Sequence, residues 1–153
     1  MKLPARLVTL AAVAVVAAGC SAINPITTQD PYDASDGISV DIGDVRGINL
    51  LVVTEAEGSP AVLLGSLYNS SAEDVQVAAS IDGESIVTID VAAGATVKLG
   101  GEDGEQHVTG TASVAPGLLQ DVILQTDAAG QVVTAVPVMD GTLPEYEPEL
   151  PSA

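Results

Sequence analysis

Few residues in this 153-residue chain have side chains suited to chemistry, and their spacing narrows the choices further. They are the single cysteine, Cys20, the single histidine, His107, the one methionine beyond the initiator, Met139, and an acidic run, Glu102, Asp103 and Glu105, among glycines. Copper(I) takes soft thiolate and thioether ligands, with imidazole also suitable. His107 and Met139 lie far apart in sequence and are too few for a trigonal or tetrahedral site. His107 therefore reads as a surface residue beside an acidic loop, and Met139 as packing at the end of a strand. Calcium needs six to eight oxygens. Glu102, Asp103 and Glu105 supply a weak candidate set without the D-x-[DN]-x-[DN]-G order of an EF-hand, and Asp41 with Asp44 is a commonplace pair. No G-x-S-x-G elbow, H-E-x-x-H helix, P-loop or dinucleotide-binding glycine pattern occurs. The reading is of a non-enzymatic protein with no cofactor and no catalytic residue.

Cys20 has a clearer fate. Lys2 and Arg6 open the chain, and Leu7 to Ala18 form a twelve-residue apolar stretch. That is too short for a membrane-spanning helix, which needs about 20 residues, but suits a signal-peptide core. Ala17, Ala18 and Gly19 are the small residues a signal peptidase accepts, and Cys20 follows at once. The pattern is a lipobox, with Ala17 where leucine is usual. Residues 1–19 are read as a lipoprotein signal peptide and Cys20 as the diacylglyceryl cysteine. The protein is then expected on the outer face of the cytoplasmic membrane. A lone cysteine also forms no internal disulfide, although export permits one.

Beyond the leader, Arg46 and Lys98 face all 21 acidic residues, a formal charge of −19. Such a surface repels nucleic acid and anionic lipid, which both require clustered Lys or Arg. The expected partners are the membrane, through the lipid alone, and an unidentified envelope protein. The Ala, Val, Gly and Asp richness beside scarce lysine points to a high-GC bacterium. There is no Phe or Trp, so sugar binding by ring stacking is disfavoured and aliphatic side chains must build the core.

Residues 20–36, polar with two prolines, read as a flexible tether that reaches about 55–60 Å when fully stretched. Residues 37–140 read as one domain of short β-type runs. Val75, Val77, Ala79 and Ile81 alternate with polar or small residues, the clearest period-2 pattern in the chain. Asp82-Gly83 follows and suits a type I′ hairpin, whose two central positions need positive φ. Val87, Ile89 and Val91 form the return strand. Ala61 to Tyr68 has apolar residues on both faces, so both are expected to be covered. Asn69-Ser70-Ser71 reads as a turn, and Asp127 to Gly130 as the turn of a last hairpin. About eight strands without a helical stripe predict an all-β, antiparallel Greek-key sandwich, immunoglobulin-like or cupredoxin-like, behind the signal helix. Residues 141–153, proline-rich and acidic, read as a disordered tail.

Three segments carry a resemblance: INLLVV (Ile48–Val53), AVLLGSLYNSS (Ala61–Ser71) and PGLLQDVILQTDAAGQVVTAVPV (Pro116–Val138). With these the body resembles the LpqE-type lipoproteins of actinobacteria and, more distantly, the periplasmic copper chaperones called PCu(A)C. The resemblance covers most of Gly37 to Met139 and consists of sandwich features. It implies an envelope lipoprotein and, from its distant side, a metal-handling accessory role. The copper chaperones use a cluster of Met and His, and this chain has no HxM-like pair.

Overall fold

The computed structural model describes residues 32–101 and 106–151. The signal peptide, Cys20, most of the expected tether, and the loop residues Glu102, Asp103 and Glu105 lie outside these. The compact unit begins at Asp33, four residues before the expected boundary. The polar residues there act as hydrogen-bond acceptors for the domain. Asp33 receives the Ser39 backbone N–H at 2.9 Å and the Ser39 hydroxyl at 2.6 Å. These two bonds hold its carboxyl below the usual carboxylate range.

Nine strands follow: β1 (Ile38–Ile42), β2 (Val45–Thr54), β3 (Pro60–Asn69), β4 (Val75–Ile81), β5 (Glu84–Val91), β6 (Thr96–Leu99), β7 (Val108–Thr111), β8 (Leu119–Thr126) and β9 (Gly130–Met139). In one layer β2 and β3 are central. β1 and the end of β9 lie on the outer side of β2, and β6 and β7 share the outer side of β3. The second layer runs β5-β4-β8-β9. The chain changes layer at β3–β4, β5–β6 and β7–β8, which gives the expected sandwich its Greek-key character. One pairing departs from the expectation of antiparallel strands throughout. β9 leaves β8 and runs parallel to β2 through Val52↔Val138 and Val53↔Met139. It thereby joins the two layers along one side, and β7 lies against β4 and β5 on the other.

The interior follows from the alternation. Val77, Ala79 and Ile81 of β4, Val122 and Leu124 of β8, and Leu50, Val52, Leu63 and Leu67 of the facing layer form one aliphatic core. Each large aliphatic side chain buried there contributes about 1.5–3 kcal/mol. Asp82 (φ 51°) and Gly83 (φ 80°) are the two central residues of the β4–β5 hairpin, the left-handed pair that a type I′ turn requires. A bulge interrupts β2 between Ile48 and Leu51, with Asn49 left-handed at φ 53°. Gly65 (φ 132°) lies under it. A Cβ at Gly65 would sit 2.8 Å from the Ile48 and Asn49 carbonyl oxygens, so only glycine lets β3 pass the bulge.

β2 is buried without alternation from Leu50 to Thr54. Leu50 and Val52 point into the core, while Leu51 and Val53 point out and form a second small cluster with Val62. Leu64, Met139, Tyr146 and Leu150 pack on it. Residues 141–151 therefore correct the expectation of a disordered tail, because they lie back over the outer face of β2 and β3. Their apolar residues find an uncovered apolar surface there, which composition alone does not reveal. A short 3-10 turn, Glu147–Glu149, shapes the segment, with proline inside its first turn. Tyr146 donates its hydroxyl to Asp36 at 2.7 Å. Burial first, then that hydrogen bond, raises the Tyr146 pKa to about 12.

Asn69 closes the structure at the end of β3. It is fully buried, and its Nδ2 donates to the carbonyls of Glu73 (2.7 Å), Val91 (3.0 Å) and Ala92 (3.3 Å). Its Oδ1 accepts the Ser71 N–H at 2.9 Å and the Ser71 hydroxyl at 2.8 Å.

Two predictions follow from these contacts. Asn69→Ala should lower unfolding stability by about 2–4 kcal/mol in urea titration, since it strands buried backbone groups rather than deleting packing. Asn69→Asp should cost at least as much, because a carboxylate cannot donate to three carbonyls. For Tyr146 the folded-state pKa lies above the unfolded value near 10, so its stabilising effect is intact below pH 10. It should be lost as pH rises from about 10 to 12. A tyrosinate absorbance step near pH 12 that vanishes in Tyr146→Phe would confirm this, and a step unchanged in that variant would refute it.

Candidate functional site

The acidic loop is anchored at its mouth. Leu99 at the end of β6 bridges to Gln106, the Gly100 N–H donates to the Gln106 carbonyl at 2.8 Å, and the Gln106 N–H donates to the Lys98 carbonyl at 3.3 Å. Gly100 (φ 63°) makes the turn, and a Cβ there would collide with Leu64. His107 follows the mouth directly and leads into β7.

His107 is exposed, as expected, but it lines an open cavity of about 290 Å³ with Val62, Gly101, Thr109 and residues 148–151. The returning C-terminal segment forms the other wall and brings in Glu149. The Glu149 carboxylate reaches Gly101, with Oε1 3.3 Å from where a Cβ would stand. Met139 does serve as packing, against the cluster that contains Val62. Met139 pairs with Val53 of β2, and Val53 pairs with Val62 of β3, so a whole strand stands between Met139 and the cavity that His107 and Val62 line. The sequence reading missed the meeting of His107 with Glu149 because it depends on the docked segment.

The chemistry this arrangement supports is limited. One imidazole and one carboxylate meet at the cavity. That falls short of the three or four soft donors a copper(I) ion takes. Among the described residues no group of three His, Cys, Asp or Glu side chains is placed to hold a metal.

A second cleft, about 530 Å³, opens at the end of the sandwich where the β1–β2 turn, the β3–β4 loop and the β8–β9 turn converge. Asp44, Glu73, Asp74 and Asp127 line it. Asp74 already has a structural partner, since its Oδ1 accepts the Ala93 N–H at 2.9 Å. Ser70 ties two of the three turns together, donating both its N–H (2.9 Å) and its hydroxyl (2.8 Å) to the Asp44 carbonyl. Turn connections from alternate strands end on one side of a sandwich, and that rule is the only sequence signal that groups these acids.

The remaining polar groups inside the domain serve the fold. Gln120 is buried and accepts the Ser113 N–H at 2.8 Å. The buried Thr54 hydroxyl donates to the Pro60 carbonyl at 2.9 Å. Among the described residues no buried side-chain nitrogen or oxygen lacks a hydrogen-bond partner.

No protein-family model matches the sequence, and no curated protein matches it. Among solved structures the fold is similar to the copper-bound PCuAC domain from PmoF2. The TM-score is 0.51 with 16% identical residues, over 67% of this chain and 98% of that one. The likeness is one of fold: this chain carries an all-β sandwich of the PCuAC kind.

Proposed function

We propose that this chain is a lipid-anchored accessory protein of the bacterial envelope, a non-enzymatic sandwich that works by contact with another envelope protein. The observation that carries this reading is the order of its parts. A twelve-residue apolar stretch, Leu7 to Ala18, leads into Gly19-Cys20, a short polar segment follows, and a compact domain begins at Asp33. The resemblance to LpqE-type lipoproteins supports the same reading. The domain contributes stability and surface, because its buried polar side chains are committed to internal bonds.

The anchor has a physical task. A body with 21 acids and two basic residues has no electrostatic affinity for an anionic bilayer. Each buried methylene of an acyl chain contributes about 0.8 kcal/mol, so lipid on Cys20 is what holds the domain at the membrane. Cys20→Ala should leave the precursor uncleaved or release the protein from the membrane fraction. Unchanged processing and retention in that variant would sink the reading.

A second reading, metal handling, is favoured by the likeness to a copper-bound domain and by the meeting of His107 and Glu149 at one cavity. The described donors do not complete a copper(I) site, and Glu102, Asp103 and Glu105 offer hard oxygens, which suit calcium rather than copper(I). Titration of the full chain with copper(I) and with calcium separates the readings. The leading one expects no stoichiometric binding tighter than micromolar. Tight binding that is lost in His107→Ala would establish the second.

A further inference from the structure

The two outer faces of the sandwich differ. The outer face of β2 and β3 is covered by the returning C-terminal segment, whereas among the described residues nothing covers the outer face of β8 and β9. Along β8 the outward residues are Leu119, Asp121, Ile123 and Gln125, alternating with buried Gln120, Val122, Leu124 and Thr126. Their partners across the hairpin are Pro137, Ala135, Val133 and Gln131. Two apolar cross-strand pairs, Leu119–Pro137 and Ile123–Val133, thus flank Asp121–Ala135. Leu119 is 60% exposed and Val133 54%, and Leu118 at the strand start is 55% exposed. Ile123 extends the surface to the β4–β5 turn, its Cδ1 3.5 Å from where a Gly83 Cβ would stand. Single exposed aliphatics need no explanation, but a contiguous exposed apolar surface marks an interaction site.

Charge selects the occupant. None of β4, β5, β8 or β9 contains lysine or arginine, and their charged residues are Glu84, Asp90 and Asp121. Arg46 and Lys98 both belong to the opposite layer, in β2 and β6. A second copy laid face to face would oppose acid to acid, and an anionic membrane is repelled likewise. We propose that the outer face of the β8–β9 hairpin docks a protein partner through a segment whose apolar side chains are bordered by lysine or arginine. Apolar burial supplies the affinity, while Asp121, Asp90 and Glu84 supply orientation and a faster encounter. The proposal rests on the interaction-module reading and specifies its face and its partner's chemistry.

The test places a benzoylphenylalanine photocrosslinker in the full chain, in native membranes, at Val133 or at the exposed Thr96 of β6 in the opposite layer. Crosslinks should form from Val133 and not from Thr96, and the captured segment should be apolar with flanking Lys or Arg. The yield should fall at least fivefold in Leu119→Asp, and also when salt is raised about tenfold, which shortens the Debye length about threefold. Crosslinks from Thr96 alone would overturn the proposal while leaving the interaction module standing, and crosslinks from neither position would overturn both. A Val133 product that joins a second copy or residues 1–31 of the same chain would show that the protein covers its own face, and would overturn the proposal. So would a captured segment without basic residues, or a yield indifferent to salt.

Discussion

The domain depends on one buried amide. With no tryptophan, no phenylalanine and no disulfide, the two layers lack the large rings or covalent links that commonly pin a sandwich. Aliphatic packing holds them together but is non-directional. Asn69 provides direction. Its side chain reaches from the end of β3 to the last carbonyl of β5, to the residue after it, and to Ser71 and Glu73 within the β3–β4 connection. The chain crosses between layers immediately after Asn69, so these bonds set where the second layer starts relative to the first. An amide suits this position because it offers two donors and an acceptor without a charge to bury.

The second constraint is the end of β9. Its hairpin with β8 belongs to one layer, and its last two residues pair with β2 in the other. One strand therefore carries backbone hydrogen bonds across the joint between layers. The same turn of the chain brings Met139 onto the outer face of β2, where the C-terminal segment then covers it. The cavity beside His107 results from this covering, since one of its walls is residues 148–151.

Much of the fold was legible in the sequence. The period-2 run of β4, the Asp82-Gly83 turn and the two-sided apolar character of β3 all correspond to structure. What escaped was long-range. Asn69 reads as a turn residue because nothing local shows that its side chain points inward to β5. The proline-rich acidic tail reads as solvated because its docking surface, Leu51, Val53 and Val62, lies about 80 or more residues earlier. The parallel step of β9 onto β2 and the convergence of the acidic turns are properties of strand order, which periodicity does not encode.

The hydrogen bond between Asp36 and Tyr146 joins the first residues of the domain to its last. Topologically the fold is then almost a ring, open only at one seam. Joining the chain across that seam and cutting it at Asp82-Gly83 would yield a circular permutant that keeps all nine strands. The sandwich is thus indifferent to where its backbone starts.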